Sequence, residues 1–178
     1  HLNSHDKIPW EWGGSESGSP MHIELVKYPD VFLRSESYPV KFPLDDKTKR
    51  LITWMTRAMY QHHGIGLAAI QVGYQLRMFV MDCSRSREND KVYINPEIVG
   101  KSDETLRDVE GCLSAPGKQG DVKRHLRIIL KYQNKEGEEE KKTFYNLEAR
   151  CIQHEMDHLE GKLCIDYEKG NYSREKHK

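Results

Sequence analysis

Two histidines, His154 and His158, stand four residues apart in "CIQHEMDHLEG" (151–161), with Glu155 beside the first. That spacing puts both rings on one face only where the chain is helical, so the fold must be organised around this helix. The residue types suit a metal and a proton carrier. A bound ion lowers the pKa of its water, and Glu155 can accept the proton and pass it to a leaving group. Asn146 is the expected N-cap, and Glu148 lies in the first turn, where the helix dipole favours negative charge. Gly161 can end the helix.

A catalytic site of this kind takes three protein ligands and keeps one position open. Cys151 shares the face, but seven residues of straight helix span about 10.5 Å. Three ligand bonds of ~2.0–2.3 Å cannot converge across that span, so Cys151 is expected to line the floor of the site. Cys164 extends the pattern to "HEMDHLEGKLC", the spacing of one protease class with a thiol replacing its last histidine. That class needs a methionine turn further on, and no Met follows Met156. Glu168 and Glu175 could offer a carboxylate, but little chain follows His158 to build a second subdomain. Cys112 stands in "EGCLSAPG" (110–117), where Gly111 permits close backbone approach and Pro116 with Gly117 turns the chain. Its thiolate with the two imidazoles would complete a site with one open corner.

The surroundings read as an α+β domain: antiparallel sheets packed around a central helix carrying the H-E-x-x-H motif, with one further N-terminal helix. The N-terminal helix is expected in "LDDKTKRLITWMTRAMYQHHG" (44–64). There Leu51, Met55, Ala58, Met59 and His62 recur at three- and four-residue steps; Asp45 or Asp46 caps it and Gly64 ends it. Strand-like runs follow at 75–83, at 91–99 with Pro96 favouring an edge or a bulge, and at 125–132. "NKEG" (134–137) reads as a hairpin turn, with Glu138, Glu139 and Glu140 on a solvated returning arm. Residues 1–20 lack any apolar period and read as a leader or appended tail, with Met21 the expected natural start. The catalytic domain is expected over 21–167 and a short charged tail over 168–178. Lys plus Arg equals Asp plus Glu, at 28 each, so charge points to neither nucleic acid nor an anionic membrane. No apolar run reaches the roughly 18–20 residues that cross a bilayer. The four cysteines show no dense disulfide spacing, which suits a reducing compartment.

Add "GIGLAAIQVG" (64–73) to "EGCLS" (110–114) and "QHEMDHLEG" (153–161), in that order, and the chain closely resembles peptide deformylases from about Met21 to Tyr167. The resemblance implies that Cys112, His154 and His158 bind one divalent ion, with Fe(II) the native choice and Zn, Ni or Co able to replace it. It implies that Glu155 is the general acid and base, and that the Gln71 amide and the Leu113 backbone N–H steady the developing oxyanion. The substrates it implies are the formyl-methionyl ends of nascent peptides. Around them it sets Gly64, Ile65, Gly66, Glu110, Gly111, Leu147, Arg150 and Cys151. Glu110 is also expected to pair with Arg124 and brace the ligand loop. The setting implied is a bacterial or phage-infected cytoplasm, or an organelle matrix or stroma.

Two departures from the family pattern stand out. Bacterial relatives of one type carry a further C-terminal helix, whereas "EKGNYSREKHK" is short and charged; this bears on a transient ribosome contact. Relatives often have an apolar residue where this chain has Arg150. Either its stem lines the pocket with the charged head in water, or it turns outward. The rival functions are a metzincin-like metalloprotease using Cys164 as third ligand and a non-catalytic domain stapled by its metal.

Overall fold

The continuous apolar run Met78–Met81 has no alternation because both of its faces are covered. In the computed structural model, which describes residues 22–167, Met78 and Val80 pack with helix α1 (Asp46–Gln61). Phe79 and Met81 pack on the other side with helix α2 (Asn146–Leu159). The strand they form, β2 (Met78–Met81), belongs to a five-stranded antiparallel sheet. Its other strands are β1 (Gly66–Ala68), β3 (Lys91–Lys101), β6 (Arg127–Gln133) and β7 (Glu139–Tyr145), in the spatial order β1-β2-β3-β6-β7. β4 (Thr105–Gly111) and β5 (Gln119–His125) form a separate antiparallel pair. Helix α2 touches β1, β2, β6 and β7 of the larger sheet and β5 of the smaller one. The α+β architecture with a central helix is therefore as expected. A last helical turn, Ile165–Tyr167, follows. The expected tails at 1–20 and 168–178, Met21, Glu168 and Glu175 lie outside the described residues.

Local chemistry explains the elements. Asp45 caps α1 by accepting from the Thr48 N–H at 2.8 Å, and Leu51, Met55, Ala58 and Met59 are buried along one face. The helix does not end at Gly64. His62 is the C-cap and His63 takes the left-handed conformation (φ 59°), after which the Gly64 N–H closes onto Met59 O at 2.9 Å. Pro96 sits in β3 between β2 and β6, not at an edge. The strand accommodates it with a bulge, the register slipping between Ile94 and Glu97 while Asn95 adopts φ 49°. Ile128, Leu130 and Tyr132 of β6 share the buried face, and the Asn134–Gly137 turn leads into β7, whose Glu139 and Glu140 are exposed.

The start of α2 corrects one expectation. Tyr145 occupies the N-cap and Asn146 is already the first helical residue, at φ 53°, its N–H bonded to Leu126 O. Glu148 is in the first turn as expected, and Gly161 (φ 76°) stands just past the C-cap Glu160.

Candidate active site

Two elements deliver the donor atoms. Cys112 is the first residue beyond β4, and both histidines lie on α2 with ring centroids 5.1 Å apart. Cys112 Sγ lies 3.4 Å from His158 Nε2. One ligand atom from each of Cys112, His154 and His158 falls within 4.8 Å of the others. Cys164 does not join both histidines among the described residues: it groups with Glu110 and His154. Its thiol is buried, donates to the Glu110 carbonyl at 3.6 Å, and is pushed up by burial to about 12. Among the described residues it is this placement, beside Glu110 and apart from His158, that leaves Cys164 out of the set formed by Cys112 and the two histidines.

Glu155 is on the same helix, 3% exposed, and its Oε1 has no hydrogen-bond partner among the described residues. Burial raises its carboxyl to about 7, so it can exchange a proton near neutral pH. β1 passes directly over it. A Cβ on Gly66 would lie 2.7 Å from both Glu155 Oε2 and Cys151 Sγ, so only glycine allows the strand this close. Gln71 sits in the 3₁₀ turn Ala69–Val72 and is 1% exposed. Its Oε1 accepts from the Ala68 N–H at 2.9 Å, which aims the NH₂ group at the ligand loop. There Nε2 donates to Ser114 Oγ at 3.1 Å and faces Cys112 Sγ at 3.8 Å. Leu113 follows Cys112, and its side chain packs over Gly64.

Glu110 joins the smaller sheet to α2. Its Oε1 accepts from Arg124 Nη2 at 2.8 Å and faces His154 Nδ1 at 2.9 Å. Its Oε2 accepts from Arg124 Nε at 2.9 Å and from Arg150 Nη1. Burial alone would raise this carboxyl; the bonds to Arg124 and His154 outweigh it and hold it down at about 2. Arg124 also donates to Asp157 Oδ2 at 2.8 Å, and Asp157 accepts from Tyr167 Oη at 2.8 Å. The expected Glu110–Arg124 pair is thus part of a larger buried network. Arg150 lines the cavity, as one of its two alternatives had it, but its head is engaged by protein groups. Its side chain is 14% exposed, and its guanidinium donates to Glu110 and to the Val122 and Leu106 carbonyls.

A cavity of about 630 Å³ opens onto these groups. Gly64, Ile65, Gly66, Glu110, Gly111, Leu147, Arg150 and Cys151 all line it, together with Gln71, Cys112, Leu113, His154 and Glu155. Sequence reasoning missed Ser114 and Asp157. Ser114 sits two residues past the thiol, and Asp157 follows His154 by one helical turn; those positions were the available signal.

The donor set fits a divalent ion. Burial would depress His154, but the Cys112 and Glu110 bonds outweigh it and lift it to about 10, so this spot favours positive charge. Burial, with His154 beside it, keeps His158 well below the ordinary imidazole value and therefore neutral, its lone pair available. One thiol and two imidazoles suit Zn, Fe, Co or Ni.

Known proteins share this arrangement of chain. A family model described as polypeptide deformylase matches residues 22–173. The peptide deformylase of Bartonella henselae is 46% identical over 145 residues, covering 80% of this chain and 82% of that one. The crystal structure of peptide deformylase from Thermotoga maritima superimposes with a TM-score of 0.77 at 39% identity, over 83% of this chain and 97% of that one. The enzyme from Plasmodium falciparum gives 0.78 at 38% identity, over 86% and 90%. The chain belongs to the peptide deformylase family, metal-dependent hydrolases that remove the formyl group from newly made peptides.

Proposed function

We propose that this chain deformylates formyl-methionyl peptides with Cys112, His154 and His158 holding one divalent ion and Glu155 moving the proton. The observation that carries the reading is the convergence of those three donors within 4.8 Å, beside a buried carboxylate with one oxygen unpartnered among the described residues. When bound, the ion supplies Lewis-acid polarisation of the formyl carbonyl and of a water nucleophile. Glu155 takes the water's proton and delivers it to the departing amine, leaving formate and a free N-terminus. Gln71 Nε2 and the Leu113 N–H stabilise the charge that gathers on the formyl oxygen. The Gly64–Gly66 backbone and Gly111 border the peptide. Leu147, Cys151 and the stem of Arg150 wall the space for the methionine side chain.

We assign Fe(II) as the native ion, with Zn, Ni or Co as substitutes. Its partners are the nascent chains of a translation system that starts on formyl-methionine, in bacterial cytoplasm or an organelle of similar chemistry. A metal that only staples the fold would have no use for Glu155 or for a cavity leading to the donors. The Fe(II)-loaded chain is expected to release formate from formyl-Met-Ala-Ser in step with free Met-Ala-Ser, and chelation should stop it. Failure of the loaded protein to release formate would overturn the proposal.

A further inference from the structure

We propose that Arg150 is a positioning residue for the metal site. It fixes the spacing between the helix that carries both histidines and the strand that leads to the thiol, and through Glu110 it holds His154 in its ligating orientation. This rests on the assignment of Cys112, His154 and His158 as ligands.

Arg150 lies on α2 one turn before His154. Its guanidinium bonds to three acceptors on the smaller sheet. Nη1 donates to Glu110 Oε2 and to the Val122 carbonyl at 3.2 Å, and Nη2 donates to the Leu106 carbonyl at 2.5 Å. Leu106 and Glu110 belong to β4, which leads directly into Cys112, and Val122 belongs to the partner strand β5. One side chain thus ties the helix turn just before the first histidine to both strands beside the thiol. Only a planar fork with several N–H groups can serve three such acceptors at once; a lysine ammonium matches this geometry poorly.

The second part follows from Glu110. A carboxylate has about four acceptor positions. Four donors face this one: Arg124 Nε and Nη2, His154 Nδ1 and Arg150 Nη1. Arg124 approaches from β5 and Arg150 from α2, so the carboxylate is held from two sides and has little freedom to swing. The His154 Nδ1 proton then points at a fixed anion, which fixes the tautomer and leaves Nε2 for the ion. Without Arg150, Oε2 loses a charged donor, and from α2 only His154, the ring to be oriented, still faces Glu110.

The test compares Co(II) affinity by chelator competition in wild type, Arg150→Met and Arg150→Lys, together with the Co(II) absorption spectrum. Methionine keeps much of the stem that walls the cavity and removes the fork; lysine keeps the charge without the fork. Arg150→Met is expected to bind Co(II) about tenfold more weakly or worse, as for other residues that orient a ligand. Arg150→Lys should fall between it and wild type, with an altered spectrum in both. If Arg150→Met does not fold, Arg150→Lys decides alone. Affinity and spectrum equal to wild type in a folded variant would overturn the proposal, even if side-chain preference among formyl-peptides changed. Wild type that takes up no Co(II) would instead remove the ligand assignment itself, so the two failures are distinguishable.

Discussion

Replacing Glu155 with glutamine is expected to leave metal uptake intact and to lower kcat for formate release by about 10³-fold, within the 10²–10⁴ range of positioned acid–base groups. Glutamine keeps the shape of the side chain and its fit under Gly66, whose absent Cβ leaves room for it. It cannot take up or return a proton. The carboxyl is suited to both acts, because burial lifts it to about 7, where it exists in both forms at neutral pH. The measurement is steady-state formate release alongside metal content of the same sample. Loss of metal together with activity would mean that the residue builds the site; an unchanged kcat would mean that the proton travels by another route.

The second large effect concerns stability. Arg124 is 4% exposed and bonds to Glu110 and Asp157 together. Arg124→Met would leave Glu110 with Arg150 and His154, and Asp157 with Tyr167, but no cation between the two carboxylates. Removing one partner of a buried ion network costs about 3–5 kcal/mol. For a chain of this size that corresponds to a melting temperature lower by roughly 10 °C. Lys131→Met is the control. It breaks an exposed pair with Glu97, 3.5 Å apart and half open to solvent, and should cost about 0–1 kcal/mol. Thermal melts of both variants check this. Equal losses would mean that burial of the Arg124 network adds nothing.

Parts of the molecule with a strong period were readable from the chain. Met55 and Met59 repeat at helical spacing and are buried; Ile128, Leu130 and Tyr132 alternate and share one face. The β4–β5 pair was not readable. "TLRDVEG" and "QGDVKRH" are mostly polar, because this ribbon is exposed along much of its length and is tied to α2 through charged groups. No hydrophobic pattern marks such strands. The two histidines were evident because a single helix sets their spacing. Cys112 could be offered from the residues of its loop, but only family likeness set it above the other candidates, since its distance from the histidines depends on the whole path of β4. Arg150 was the hardest: polarity suggested water for its head, and the three acceptors that bind it come from residues 28 to 44 positions earlier. Gln71 was singled out by family likeness; its aim comes from a short turn whose own Ala68 N–H holds the amide oxygen.

Absorption of the Co(II)-substituted protein tests the metal assignment most directly, because a thiolate bound to cobalt gives an intense charge-transfer band in the near ultraviolet. The band should appear in wild type and in Cys164→Ser and vanish in Cys112→Ser. A band that survives in Cys112→Ser and disappears in Cys164→Ser would contradict the account.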